Sequence, residues 1–268
     1  MKSVKIFSAT LLAVVSTFCV AVMGANYVTK QPLPASGQNG FAVVELFTSE
    51  GCSSCPPADE LLGKIQQEYK DKPVYVLAYH VDYWDRMGWK DAYSSAAYTQ
   101  RQSEYSHLLG SQLYTPQVIV NGEAEFVGSD ERTLRETLVH VINGKASANL
   151  AITARQINGS LLINYTLTGN YKPAVLRLAL VQKKAVRQIK RGENQGRTLT
   201  HWQIVRSLNT STISANGKGK LQLPIPKDFI ENEWEVIAMV QDPATAKIYA
   251  AAKATLVVNA KDAEQIKK

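Results

Sequence analysis

Two cysteines separated by two residues are the feature of this 268-residue sequence that most directly implies chemistry. In Cys52-Ser53-Ser54-Cys55 the spacing lets two sulfur atoms meet across a tight turn and cycle between a dithiol and a disulfide. The thiolate is the reactive form of cysteine. In such motifs the first thiol is normally the exposed nucleophile and the second resolves the mixed disulfide. The sequence therefore predicts that Cys52 attacks and that Cys55 releases the product.

Two other roles are open to the same pair of cysteines. One is an inert structural disulfide that takes no part in chemistry. The other is a metal site, because thiolates favour Cu(I) and His80 would offer a third ligand. A zinc site would need a fourth ligand, which the sequence does not identify. Cys52, Cys55 and His80 are therefore the candidate ligands of an alternative, metal-carrying function.

The N-terminus has the pattern of an export signal over residues 1–25. Lys2 and Lys5 precede an apolar run from Ile6 to Met23, and small residues follow it. An uncleaved membrane anchor is the alternative, but the run is near the lower length for a span and no second span follows. We expect cleavage, export to the periplasm or the extracellular space, and no stable membrane anchor afterwards. Such a compartment permits disulfides.

The composition is that of a soluble globular protein and argues against several other classes. Apolar residues make up 45% of the chain and charged residues 20%, and the formal charge of +7 is spread among interleaved acids and bases. A protein that binds nucleic acid more often gathers its cations in a tract or on one face. The sequence has no phosphate loop, nucleotide fingerprint or hydrolase triad. We therefore expect no cofactor and no nucleic acid, and partners that are protein substrates or a redox partner.

The chain from 41 to 146 alternates predicted strands and helices. Continuous apolar runs indicate buried strands, and apolar residues at helical spacing indicate helices. Predicted strands cover 41–47, 74–79, 118–120 and 124–127, and predicted helices follow Cys55, cover 94–109 and begin near Asp130. Asn121-Gly122 between the last two strands is a strong hairpin signal. A residue before proline avoids helical backbone, so Cys55 should cap the first helix and Pro56 should begin it.

The pattern changes in the chain from 147 to 259. Short segments with alternating apolar residues, separated by turn signals, indicate an all-β sandwich. A basic stretch from Arg187 to Arg206 surrounds a glycine-rich loop and is typical of a solvated hairpin. The sandwich could instead recognise a partner or shield the redox face. A spacer over 26–40 precedes the first domain, and 260–268 forms a charged tail.

The order of elements, with the cysteine pair directly after the first strand and Thr115-Pro116 directly before the third, resembles the thioredoxin superfamily over about 41 to 144. Four stretches more closely resemble the DUF1223 family of exported bacterial proteins. They are Glu45–Asp59, His80–Asp85, Tyr114–Val118 and Arg191–Leu199. The expected fold class is therefore α/β, with a thioredoxin-like domain over 41–146 followed by an all-β sandwich domain over 147–259.

The superfamily resemblance implies roles for further residues. It implies that the Thr115–Pro116 bond is cis and lies beside the disulfide, with backbone groups of Thr115 free to pair with a substrate strand. It places Glu45 in the strand that often carries a buried acid beneath the second cysteine, so Glu45 could relay a proton to Cys55. A carboxylate paired with a basic side chain is the alternative for Glu45.

His80 and Trp84 follow the second predicted strand, whose end lies near the active site in that superfamily. They could form a wall for the substrate, or Trp84 could plug a loop over the core. Together these residues favour an exported thiol–disulfide oxidoreductase acting on protein disulfides. The alternative is a non-enzymatic Cu(I)-binding or protein-binding module with a structural disulfide.

Overall fold

The computed structural model describes residues 40–256, which lie within one compact unit. The predicted signal peptide (1–25), the charged tail (260–268) and all but the last residue of the predicted spacer (26–40) lie outside the described residues. Among residues 40–256, no helix is long and apolar enough to cross a membrane.

Three α-helices and twelve β-strands make up the described part of the chain. The helices are α1 Pro56–Glu68, α2 Ala96–Leu109 and α3 Glu131–Ile142. The first four strands are β1 Ala42–Thr48, β2 Val74–His80, β3 Gln117–Val120 and β4 Ala124–Val127. The others are β5 Ala148–Ile157, β6 Ser160–Gly169, β7 Val175–Gln188, β8 Thr198–Thr212, β9 Lys218–Pro224, β10 Trp234–Gln241, β11 Ile248–Lys253 and β12 Thr255–Leu256. The strands and helices predicted between 41 and 146 are thus confirmed.

Local sequence signals explain where these elements begin and turn. Cys55 is the N-cap of α1 and Pro56 opens the helix, as predicted. Asn121 and Gly122 both have positive φ, 53° and 73°, which a tight β3–β4 hairpin requires. Gly122 is required for a second reason, because a Cβ at this position would lie 1.9 Å from the Ala246 carbonyl oxygen.

An eight-stranded sheet has the strand order β11-β10-β7-β8-β2-β1-β3-β4. β1 is parallel to β2 and antiparallel to β3, and it is buried along its whole length. Successive side chains therefore pack on opposite faces. Leu46 lies in the cluster that includes α1 and α3, whereas Phe47 lies in the cluster that includes Tyr105 of α2. Because β1 and β2 are parallel, the cysteine motif and the residues that follow β2 emerge at the same edge of the sheet.

The two predicted domains share this large sheet. β8 pairs in parallel with β2, with Ile204 opposite Ala78. The boundary predicted between residues 146 and 147 therefore does not separate two independent sheets. The strand β8 was not predicted, because its inward-facing positions include the polar residues His201 and Gln203, both buried.

A second sheet, of order β12-β5-β6-β9, packs against β7, β10 and β11 of the large sheet. One cluster of buried apolar side chains joins the two sheets, and it includes Ile152, Ile163, Leu178, Trp234 and Ala250. The architecture is mixed α/β, with a large sheet, a smaller sheet and three helices in the described residues.

Candidate redox site

A disulfide joins Cys52 and Cys55 between β1 and α1. Cys55 caps α1, and Cys52 lies in the turn just outside the helix. Both cysteines are fully buried, so the expectation that Cys52 is exposed is wrong for the disulfide form. A thiol from another molecule can reach this disulfide only if the residues that cover it move.

The loop that joins β7 to β8, residues 189–197, is hydrogen-bonded to the backbone of the cysteine turn. The buried side-chain amide of Asn194 donates to the carbonyl oxygens of Glu50 and Cys52, at 3.0 and 2.8 Å. The Ser53 backbone N–H donates to Glu193 Oε2 at 3.1 Å, and hydrogen bonds from Ser53 lower the pKa of Glu193. This part of the basic stretch therefore packs against the cysteine turn instead of standing free in solvent.

Thr115 and Pro116 lie beside the same turn, and their peptide bond is cis, as predicted. The Ser54 hydroxyl contacts the Thr115 carbonyl oxygen at 3.5 Å, and Trp84 Nε1 donates to Thr115 Oγ1 at 2.8 Å. Pro116 is buried, while Thr115 and Trp84 are half-buried. Three of the predicted substrate-contacting residues therefore lie together next to the cysteine pair.

His80 is not part of that surface. Its side chain is fully buried at the end of β2, and its Nδ1 lies 2.6 Å from Asp91 Oδ2. Burial alone would raise the pKa of Asp91, but the charge and hydrogen bond of His80, with backbone donors, lower it to about 2. The prediction that His80 lines a substrate wall is wrong, because this internal partner holds its ring in the core. Within residues 40–256 of this disulfide form, no group of three or more His, Cys, Asp or Glu is arranged to hold a metal.

Glu45 is buried and paired with Arg101 instead of lying beneath Cys55. Nε and Nη2 of Arg101 donate to its two carboxylate oxygens at 2.9 and 2.6 Å. Alternation along β1 directs Glu45 to the face that carries Phe47, opposite the face on which Leu46 packs against α1. The alternative prediction for Glu45, a carboxylate paired with a basic side chain, is therefore confirmed. The predicted proton relay through Glu45 is wrong, because α1 and its cap lie on the other face of the sheet.

Asp59 is a further acidic group near the cysteines, and it is not among the predicted site residues. It follows Cys55 by one helical turn, so the two side chains share a face of α1. Its buried carboxyl accepts a hydrogen bond from the Thr48 hydroxyl at 3.2 Å and lies 3.8 Å from His201 Nδ1. Burial raises the pKa of Asp59 to about 7, against the opposing effects of His201 and Thr48. The carboxyl can therefore bind or release a proton near neutral pH, one turn from a cysteine.

Glu50 ties the cysteine turn to distant segments of the chain. Its buried carboxylate accepts hydrogen bonds from Trp89 Nε1 at 2.7 Å and from Arg187 Nε at 3.2 Å, and lies 3.5 Å from His201 Nε2. Its backbone N–H donates to Asp91 Oδ2 at 2.8 Å. Burial would raise the pKa of Glu50, but His201 and Trp89 lower it, so the group is charged at neutral pH. This network was not predicted, because its members reach Glu50 from separate segments of the chain that only the folded structure brings together.

Comparisons with known proteins find a matching family model and a related crystal structure. The model of a family described as "Protein of unknown function (DUF1223)" matches residues 43–241. The crystal structure of protein AGR_C_4864 from Agrobacterium tumefaciens is 29% identical in sequence, with a TM-score of 0.64, over 81% of this chain and 95% of that one. A domain of the outer membrane lipoprotein Omp28 from Porphyromonas gingivalis is 12% identical over 43% of this chain and 92% of its own, and its TM-score of 0.27 is too low to bear on the fold. No curated protein matches the chain.

Proposed function

Because the chain belongs to the DUF1223 family, whose description assigns no function, we propose its function from the site itself. We propose an exported thiol–disulfide oxidoreductase that acts on disulfides of other proteins through Cys52 and Cys55. The observation that carries the proposal is the position of the disulfide. It lies at the N-terminus of α1, beside Thr115, and one turn before the buried carboxyl of Asp59.

We further propose that the segment 41–146 is thioredoxin-like and that the strands after it form a β-sandwich. The strand order β2-β1-β3-β4 supports the first assignment, as do the packing of α1 and α3 with one face of β1 and of α2 with the other. The packing of β5, β6 and β9 against β7 and β10 supports the second. The sandwich then shares one of its sheets with the thioredoxin-like segment.

A purely structural bridge is less well supported. In the chain-entropy model, a disulfide stabilises a fold more when it closes a longer loop, and here the cysteines are three positions apart. The turn is also held by other means, since Pro56 begins α1 and Asn194 binds two carbonyl groups of the turn. The disulfide is therefore a weak candidate for the main source of local order.

The proposed reaction is an exchange of disulfide bonds. In the reduced protein the Cys52 thiolate attacks one sulfur of a substrate disulfide, forming a mixed disulfide while the second substrate sulfur leaves as a thiolate. Cys55 gives its proton to Asp59 and attacks Cys52 Sγ. The mixed disulfide breaks, the substrate leaves with both cysteines reduced, and the protein holds the Cys52–Cys55 disulfide. A dithiol partner restores two electrons and two protons by the reverse exchange.

Trapping of mixed disulfides tests this proposal. Cys55→Ser should accumulate covalent complexes with partner proteins, because the thiol that resolves them is absent. Cys52→Ser is the matched control and should accumulate several-fold fewer. The measurement is acid quenching, alkylation and non-reducing electrophoresis of exported protein. Equal trapping by both variants, or by neither, would contradict the proposal.

A further inference from the structure

Exposed positive side chains lie in the two chain segments that adjoin the cysteine turn. We define this basic rim as Arg86 and Lys90, which follow β2, and Lys190, Arg191 and Arg197 of the β7–β8 loop; all five are exposed. The two segments meet at Gly192, where an added Cβ would lie 3.1 Å from Trp89 Cβ. Within residues 40–256, none of the five cations forms an ion pair with a carboxylate. The rim therefore carries five exposed cations without an ion-pair partner in that range, and the exposed carboxylate of Glu193 lies among them in the same loop.

Polar contacts hold the β7–β8 loop against the cysteine turn. Asn194 donates to the carbonyl groups of Glu50 and Cys52, and Glu193 accepts from the Ser53 N–H. Arg197 orients Asn194 through a 2.8 Å hydrogen bond to its Oδ1. Hydrogen bonds of this kind contribute modestly because water or another polar group can replace them. The loop can therefore be displaced by a molecule that supplies the same hydrogen-bonding groups.

We propose that the β7–β8 loop selects the thiol or disulfide partner of this site, and that the partner is an acidic segment of polypeptide. The inference rests on the proposed oxidoreductase function. Carboxylates of the segment bind the basic rim, and one of them can replace Glu193 as acceptor for the Ser53 N–H. Backbone N–H groups of the segment can replace Asn194 at the two carbonyl groups. Cys52 then becomes accessible where the partner is already bound.

This mechanism discriminates between classes of thiol. A small neutral thiol offers no carboxylate to the rim and no row of N–H groups, so it reacts only with the fraction of molecules whose loop is open. A basic peptide is repelled by the rim. An acidic peptide is attracted over a distance that salt shortens, to about 10 Å at 0.1 M ionic strength.

The test uses the disulfide form of the protein and three reductants: mercaptoethanol and two peptides of equal length with one cysteine each, flanked by glutamates or by lysines. Reduction is followed by acid quenching, alkylation and mass spectrometry, and rates are compared per thiolate. We expect the acidic peptide to react about 10-fold faster than the basic one at low salt, with the difference largely lost at about 1 M NaCl. The double variant Lys190→Glu, Arg191→Glu should reverse the preference. The control double variant Lys218→Glu, Lys220→Glu makes the same charge change at exposed positions of β9, in the other sheet. It should leave the preference for the acidic peptide unchanged.

Asn194→Ala separates failure of this inference from failure of the proposed function. Loss of two hydrogen bonds should raise the rate with mercaptoethanol by about 10-fold or more, while Gln195→Ala, at an exposed position of the same loop, should not change it. If Asn194→Ala reacts quickly but both peptides react equally with the wild type, partner selection by the rim is overturned and the oxidoreductase stands. If no reductant opens the disulfide even in Asn194→Ala, both proposals are overturned.

Discussion

Two buried carboxyl groups in the first half of the chain have different surroundings, and this difference determines what each can do. Glu45 accepts two hydrogen bonds from Arg101, whose charge compensates its own. Asp59 accepts a hydrogen bond from one hydroxyl group, and an imidazole nitrogen lies 3.8 Å from its carboxyl. The effect of burial outweighs that of these two partners, and the pKa of Asp59 rises to about 7. Glu45 is therefore suited to stabilising the fold, and Asp59 to exchanging a proton near the cysteines.

The Asp59 carboxyl should give the protein a pH-dependent stability. Its pKa is about 7 in the folded chain and 3.8 as the reference value, so between these values the folded protein retains a proton that the unfolded chain has lost. Stability relative to Asp59→Asn should therefore fall as the pH rises from about 4 to 7, by at most about 4 kcal/mol, and then level off. Asparagine keeps a side-chain oxygen for Thr48, and the comparison of the two proteins removes the contributions of ionisable groups distant from Asp59.

Urea denaturation of both oxidised proteins at pH 5 and at pH 8 measures this difference. The free energy of unfolding of Asp59→Asn, measured relative to that of the wild type, should be higher at pH 8 than at pH 5. Parallel pH profiles would show that Asp59 is already ionised at pH 5, and would remove its role as a proton acceptor for Cys55.

At the scale of elements, α1 contacts β8 through a glycine. A Cβ on Gly63 would lie 2.5 Å from Trp202 Nε1. Gly63→Ala should therefore destabilise the protein by about 1–3 kcal/mol, because overpacking exceeds the roughly 1 kcal/mol that alanine gains over glycine in a helix. Chemical denaturation checks this, with Glu60→Ala on the exposed side of α1 as a control expected to stay within about 0.5 kcal/mol of the wild type. A Gly63→Ala protein as stable as the wild type would show that Trp202 can move away without loss of packing.

Elements with local signals could be predicted, and elements defined by distant partners could not. The β3–β4 hairpin is specified by Asn121-Gly122, and the start of α1 by Pro56. In β8, by contrast, the buried Gln203 is stabilised by a 2.6 Å hydrogen bond to Glu235, a partner in β10. The sequence shows such a position only as a polar residue, which argues against a buried strand.

At the scale of the whole molecule, the second half of the chain completes the site that begins in the first. The cysteine pair and the Thr115–Pro116 bond were predictable because their context is local, and the structure brings them together. The contact of the β7–β8 loop with them could be raised from the sequence only as one possibility, because the change of pattern after Lys145 suggests a separate domain. The sheet instead continues from β2 to β8 and places Asn194 against Cys52.

The reduction potential of the Cys52–Cys55 pair tests the central claim most directly. The folded protein would be equilibrated in thiol–disulfide buffers of known potential, quenched with acid, alkylated and analysed by mass spectrometry. A working couple should have a potential above about −300 mV, within reach of cellular dithiol partners. A potential well below about −300 mV would contradict the account, because the bridge would then resist reduction as structural disulfides do.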